Sequence, residues 1–345
     1  MLKQCKKASL GIAKATGLFG LAAASQRRSS RLLVIGYHGV SLKDEHLWWP
    51  ALYLSPEKFR SRIEAIRRYS CPVLGLQEAL DLLYSGRLPE RAVVLTFDDG
   101  TVDFRAVVWP ILQEYGYPAT LYLTTYWITV ARPVVPVIWS YLLWKKLGAV
   151  YPALPFLGNG LPLDLRTNGD MSKVLAKMTS RADSLQLEGP EADAITQQLA
   201  ATLGVDYDQI CKERILHLLQ PDEIRELAKS GLSVQLHSHR HFSPDREDEF
   251  KQNLNQNREY IRDLLGSLPE HFCYPSGRYK PEYLQWLRDL GIRSATTCDP
   301  ALASRNTDPL LIPRLVDGSA LSDIEFESWL VGVGDLLPQR ARNTH

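Results

Sequence analysis

The chain has no apolar stretch long enough to span a bilayer, no CxxC pair, no internal repeat and no low-complexity tract. The first of these absences argues against a membrane-spanning helix. Its five cysteines (Cys5, Cys71, Cys211, Cys273 and Cys298) are odd in number and scattered, so they do not make a disulfide framework and they favour a reducing compartment. A surplus of charge of one sign is also lacking. With 40 basic and 39 acidic side chains the net charge is +1, and nothing in that balance calls for nucleic acid as a partner. What remains is ordinary globular composition, 45% hydrophobic and 23% charged, in 345 residues, enough to bury a full core.

The charge is placed unevenly. Residues 1–31 carry seven basic side chains (Lys3, Lys6, Lys7, Lys14, Arg27, Arg28, Arg31) and no acidic one, which leaves 33 basic against 39 acidic in the rest. One reading is a secretory signal, with Lys3–Lys7 as the charged region, Ala15–Ala24 as the apolar stretch and Ala22–Ala24 as the cleavage site. The other is an interfacial segment resting on an anionic membrane surface. Lys14 interrupts the apolar run, and Arg27, Arg28 and Arg31 follow it, which opposes translocation. The expectation is therefore a cytoplasmic or inner-membrane-peripheral protein rather than a secreted one. A frayed tail is the third option.

From residue 32 the pattern alternates. Leu32–Tyr37 and Ala92–Phe97 are short apolar runs that predict buried strands, and Ala119–Thr125 predicts a third. Between them, Ser55–Tyr69, Leu76–Tyr84 and Phe104–Tyr115 have helical periodicity, the first opening on Ser-Pro-Glu. Strand and helix in alternation at this spacing mean βα units and a parallel sheet. Residues 131–220 break the rhythm and predict an insertion that becomes helical, whose aromatics (Trp139, Tyr141, Trp144, Tyr151) either bind sugar faces or pack. The alternation resumes with Pro221–Lys229, Ser233–Leu236, Asp248–Leu265, Phe272–Tyr274, Pro281–Leu290 and Ser294–Thr297. The expected division is a basic segment 1–31, a catalytic domain 32–320 carrying the insertion, and a tail 321–345.

Sites in parallel α/β folds form at the carboxyl ends of strands, and four clusters lie at such ends. Asp98 and Asp99, before Gly100, are adjacent carboxylates ending a buried strand. Such a pair is costly unless compensated, and a metal could neutralise one while the other keeps a usable pKa; an Asp-Gly turn with a helix cap is the plainer account. His237, His239 and His241 fall within five residues, in a chain with only eight histidines. Neutral imidazole is the commonest nitrogen ligand for zinc, nickel, cobalt and iron, and two of these with one aspartate would leave positions open for water and substrate. Tyr274, Ser276 and Gly277 belong to a strand-to-turn segment whose amides could point into a site; an ordinary βα turn fits as well. His38, after Tyr37, is either a catalytic acid or a hydrogen-bonded strand-end residue.

Together these segments resemble the polysaccharide deacetylase family, also called the NodB-homology or carbohydrate esterase family 4 enzymes. Thr96–Gly100 matches the family's TFDDG motif letter for letter, and His237–His241 matches its H-[S/T]-x-x-H motif. The opening Tyr37-His38-Gly39 and the Tyr-Pro-x-Gly at 274–277 look closest to the poly-N-acetylglucosamine deacetylase branch. The resemblance covers about residues 31–320. It implies an α/β fold, a distorted (β/α) barrel with fewer strands than the TIM type, here with a mainly helical insertion. It implies a divalent metal, zinc first and nickel or cobalt next, held by Asp99, His237 and His241, with Asp98 as general base and His38 as general acid. His239 is a neighbour of the ligands, and an amide near Ser276 would help hold the oxyanion. Cys273 stands where many members carry an arginine that orients the base, and Arg278 and Arg314 are the candidates to replace it. The C-terminal Leu-x-His motif that supplies the acid in many members is missing from 301–345.

The function these features imply is removal of N-acetyl groups from an amino-sugar glycan. Three alternatives remain: a hydrolase of small non-sugar amides on the same scaffold, a non-catalytic glycan-binding module, and a non-haem iron oxygenase sharing the ligand set. The second aspartate in its TFDDG context argues against redox chemistry.

Overall fold

The computed structural model describes residues 2–130 and 132–337. Seven parallel strands form its sheet: β1 (Leu33–Tyr37), β2 (Val93–Asp99), β3 (Thr120–Leu123), β4 (Ser233–Leu236), β5 (His271–Cys273), β6 (Ser294–Thr296) and β7 (Leu315–Val316), in the order β6-β5-β4-β3-β2-β1-β7. The first three are buried along nearly their whole length because a parallel sheet inside an α/β fold is covered on both faces. The sheet curls until its two edges meet one segment. Leu315 pairs with Ile35 on β1, while just upstream the Ile312 amide donates to Ala295 and Thr297 donates to the Ile312 carbonyl (2.9 Å each). The result is a seven-stranded barrel, one strand fewer than the TIM type, as expected.

The helices start where the sequence predicts. Pro56–Arg68 opens with Ser55 accepting the Lys58 amide and buries Phe59, Ile63 and Ile66. The predicted helix 104–115 has one irregularity, a π-type turn over Phe104–Val108 before regular helix from Trp109. The interrupting stretch folds as helices Val135–Trp144, Asn168–Ser184, Gly189–Leu203 and Tyr207–Lys212 with a hairpin (Val150–Ala153, Pro162–Asp164). It has its own apolar cluster around Ile138, Trp139, Leu163, Met178 and Leu199. Trp139 and Tyr141 are fully buried there, so they pack rather than offer sugar platforms.

Residues from 321 do not form a tail as far as 337. Ser322 and Glu325 make a capping box that starts the helix Asp323–Leu330, whose Phe326, Trp329 and Leu330 are buried in the barrel's core cluster. Apolar side chains at this spacing have more to gain from the core than from water. Residues 338–345 lie outside the described part.

The N-terminal segment is helical (Leu2–Ala15, Leu18–Ala23, Gln26–Ser29) and packs on that C-terminal helix. Leu10 and Phe19 cluster with Val331, and Lys14 pairs with Glu327. Arg28, 1% exposed, donates to the carbonyls of Leu330, Arg31 and Arg91 at 2.8–3.0 Å. Residues 31 and 91 precede β1 and β2, so this segment covers the amino-terminal end of the barrel, opposite the mouth formed by the strands' carboxyl ends. Among the described residues, no helix is long and apolar enough to cross a membrane.

Candidate active site

The carboxyl ends of β1, β2 and β4 deliver the predicted residues to one place. β2 runs through Asp98 into Asp99, which has φ 70°, and Gly100, which has φ 90°. This left-handed turn swings Asp99 to the mouth and leaves Asp98 inside, where it is 2% exposed. Beyond β4, His237 is buried and His241 half-buried. Their Nε2 atoms stand 3.3 and 3.2 Å from Asp99 Oδ1, with ring centroids 4.9 Å apart. One ligand atom from each of the three residues falls within 4.8 Å of the other two.

The donor set fits a divalent cation. His237 Nδ1 lies 2.9 Å from the Cys273 carbonyl. That oxygen can only accept, so Nδ1 carries a proton and Nε2 is the nitrogen turned toward Asp99. Asp99 Oδ1 and His237 Nε2 are both buried without a hydrogen-bond partner. Two such atoms facing each other unpartnered are unfavourable unless a proton or a metal cation lies between them. Burial lowers the pKa of His241 below the usual histidine range, which keeps that ring neutral and a ring nitrogen available to a cation.

Asp98 faces a different group. Arg314, fully buried just before β7, grips it with both guanidinium arms: Nη1 to Oδ1 and Nη2 to Oδ2, each 2.8 Å. The same guanidinium donates to Thr96 Oγ1 (3.1 Å), the Thr297 carbonyl (3.0 Å) and Cys273 Sγ (3.0 Å). Burial alone would raise the Asp98 pKa; Arg314 outweighs it and brings the value to about 2. Of the two candidate arginines, Arg314 fills the orienting place and the exposed Arg278 does not. Small residues make the room. Cys273 stands beside the guanidinium, and a Cβ on Gly36 of β1 would come 3.2 Å from Arg314 Nη1. His38, at the end of β1, puts Nε2 3.7 Å from Asp98 Oδ2, and burial lowers its pKa, so the ring is neutral near pH 7.

The β5 turn departs from expectation in part. Tyr274 is fully buried between Phe272 and Tyr279, and its hydroxyl donates to the Leu310 carbonyl (3.1 Å), so its side chain belongs to the core, where an aromatic ring gains most from burial. The amides of Gly277 and Arg278 are consumed inside the turn, by the carbonyls of Tyr274 and Pro275. Gly277 has a steric role: a Cβ there would meet Cys298 at 2.6 Å. Ser276 is exposed at φ 56°. His239 lies off the ligand cluster, its Nδ1 2.9 Å from Thr125 Oγ1.

Two sets of contributors escaped the sequence reading. Asp103 is buried and accepts the Val40 amide (2.7 Å), fixing the loop just after His38. Asn253 and Asn257 bind the backbone of the histidine loop. A signal for them existed, since both are polar residues on the apolar face of a predicted helix.

Known proteins share this parallel barrel. Solved structures of the same shape include the Streptococcus pyogenes deacetylase PplD in complex with acetate (TM-score 0.57, 18% identity, 88% of this chain and 98% of that one). IcaB from Ammonifex degensii is also similar (TM-score 0.55, 16% identity, 88% and 97%). The polysaccharide deacetylase family model matches residues 85–147 and 192–295. That match covers just under half of this chain and breaks within the interrupting stretch. Among curated relatives, a poly-beta-1,6-N-acetyl-D-glucosamine N-deacetylase of Staphylococcus epidermidis is 27% identical over 103 residues, 27% of this chain and 36% of the relative. One from Staphylococcus aureus is 32% identical over 72 residues, 21% of this chain and 25% of the relative. The aligned part thus spans a third or less of this chain and little more than a third of those relatives at most.

Proposed function

We propose that this protein hydrolyses N-acetyl groups on an amino-sugar glycan, using a divalent cation held by Asp99, His237 and His241, with zinc the first choice and nickel or cobalt the alternatives. The observation that carries the reading is the pair of orphaned buried ligand atoms, Asp99 Oδ1 and His237 Nε2, 3.3 Å apart beside a second carboxylate clamped by Arg314. The family supports amide hydrolysis, and the names of the staphylococcal relatives support an N-acetylglucosamine polymer as the substrate class.

A cation at that place would polarise the amide carbonyl and make a water molecule more acidic. The chain's own groups do the rest. Asp98, kept ionised and in one orientation by Arg314, takes the proton from the attacking water. His38 receives that proton across the 3.7 Å that separates it from Asp98 and delivers it to the leaving nitrogen, so the products are acetate and a free amine. The Ser276 amide, in the turn after β5, is our candidate oxyanion donor.

The test is acetate release from a panel of N-acetylated glycans, with and without chelator. Chelator-sensitive release from glycans is expected. Release from small non-sugar amides alone would move the substrate class, and a metal-loaded protein that turns over neither would overturn the reading in favour of a binding module.

We also infer that the N-terminal segment rests on an anionic membrane surface from the cytoplasmic side. Ile12, Leu18 and Leu21 are 65%, 51% and 71% exposed, and Lys7 is exposed on the first of these helices. Sedimentation with phosphatidylglycerol vesicles should capture the protein. Equal recovery of an Ile12→Asp, Leu21→Asp variant would rule the contact out.

A further inference from the structure

The histidine loop is strained. Ser238 has φ 62° and His241 has φ 56°, a region unfavourable for residues other than glycine. After Leu236 the chain leaves the sheet, and its amides lose their strand partners. Two side chains from the neighbouring helix Glu247–Leu265 take them up. Asn257 Oδ1 accepts the His237 amide (3.0 Å), and Asn253 Oδ1 accepts the amides of His239 (2.7 Å) and Arg240 (3.3 Å). Asn257 also reaches the next strand, donating to the Leu123 carbonyl and to Thr125 Oγ1 (3.0 Å each). That hydroxyl then has its proton free for His239 Nδ1 at 2.9 Å. Backbone bonds close the circuit from the other side, where Tyr126 donates to the His239 carbonyl (2.8 Å).

These two asparagines lie one helical turn apart, on the face that places Phe250, Leu254 and Ile261 in the core. Asn257 is fully buried and Asn253 is 6% exposed. A carboxamide on a buried helix face is unfavourable unless its hydrogen bonds are made, and here the loop that carries both candidate histidine ligands makes them. Apolar residues would pack this face equally well but would leave three amides of a left-handed loop without acceptors.

We propose that Asn253 and Asn257 are positioning residues that hold loop 237–241 in the conformation needed for metal binding, a role that rests on the metal reading above. They touch neither substrate nor metal. Their effect is on where His237 and His241 stand when the metal arrives, since the cation would otherwise have to order the loop itself.

The experiment compares Asn257→Ala, Asn253→Ala and Asn257→Asp with Leu254→Ala, a core truncation on the same helix (Leu254 is 2% exposed). Two readouts are used: amide hydrogen exchange of the metal-free protein, and Co²⁺ affinity by chelator competition together with its visible d–d spectrum. Asn257→Ala should speed exchange at His237, and Asn253→Ala at His239 and Arg240. Each should weaken Co²⁺ binding about 10- to 100-fold and alter the spectrum. Asn257→Asp keeps the acceptor for His237 and should recover part of the affinity. Leu254→Ala should lower the melting temperature but leave affinity and spectrum as in the unmodified protein. Unchanged exchange and affinity in the asparagine variants would overturn the proposal, as would an equal loss of affinity in Leu254→Ala. If the unmodified protein takes up no Co²⁺, the metal reading falls by itself, and the exchange rates alone decide whether the carboxamides hold the loop.

Discussion

The two ends of the barrel each bury an arginine, and they use it differently. At the closed end Arg28 is surrounded by backbone carbonyls, and nearby charges are paired, Lys14 with Glu327 and Arg27 with Asp335. At the mouth Arg314 binds a carboxylate in both arms, and around it polar atoms are left over: Asp99 Oδ1, His237 Nε2 and His38 Nδ1 are buried and unpartnered. The mouth also holds left-handed residues other than glycine, at Asp99, Ser238, His241 and Ser276. The closed end is not free of strain, since Arg91 has φ 60° and its Nε is buried without a partner, but the mouth gathers its unpartnered atoms around one point, which is how a site remains able to take a ligand.

That contrast can be broken at several points. The largest expected effect is Asp98→Asn, which should lower kcat by about 10²–10⁴-fold while metal content by elemental analysis stays at the unmodified level. Full activity there would remove Asp98 from the base role. Next is Arg314→Met, which leaves a buried carboxylate unpaired. It should cost about 3–5 kcal/mol in denaturant unfolding and abolish turnover as well. At the closed end, Arg28→Met should also destabilise, by about 1–3 kcal/mol for carbonyls left without donors, yet leave kcat and KM per folded molecule unchanged. If Arg28→Met altered kcat as much as Arg314→Met, the two ends would not be separable.

The smallest effect is a pH slope. Burial raises the Asp103 pKa from the ordinary 3.8 to about 7. A carboxyl whose folded pKa lies above its unfolded value contributes stability at low pH and loses it as pH rises through the folded pKa, here between about 4 and 7. Asp103→Asn should therefore flatten the stability profile in that window by at most about 1.4 kcal/mol per pH unit, measured by urea unfolding at several pH values. Relative to the unmodified protein, the variant should gain more at pH 8 than at pH 5. A parallel offset at every pH would show that Asp103 is ionised throughout.

Much of the site was legible because its ligands come in short runs at strand ends. Asp98 and Asp99 end one apolar run and His237 to His241 follow another, so the strand pattern and residue chemistry point to the same spots. The Tyr274 side chain misled for the opposite reason. Its segment sits at the right strand end, but the ring packs between Phe272 and Tyr279 in the core. The expected tail from 321 hid a capped helix because its start signal, Ser322 with Glu325, was short and lay past the motifs.

By itself the sequence determined the parallel sheet of βα units, the interrupting insertion and the identity of the residues that crowd the mouth, since these depend on local periodicity and on side-chain chemistry. The tertiary structure decided which arginine clamps Asp98, across 216 residues of chain, and which helix steadies the histidine loop. Closing the sheet on the Ile312–Val316 segment is what brings Arg314 beside β2. A partner chosen by closure of a barrel leaves no periodic trace along the chain, because its spacing is set by everything folded in between.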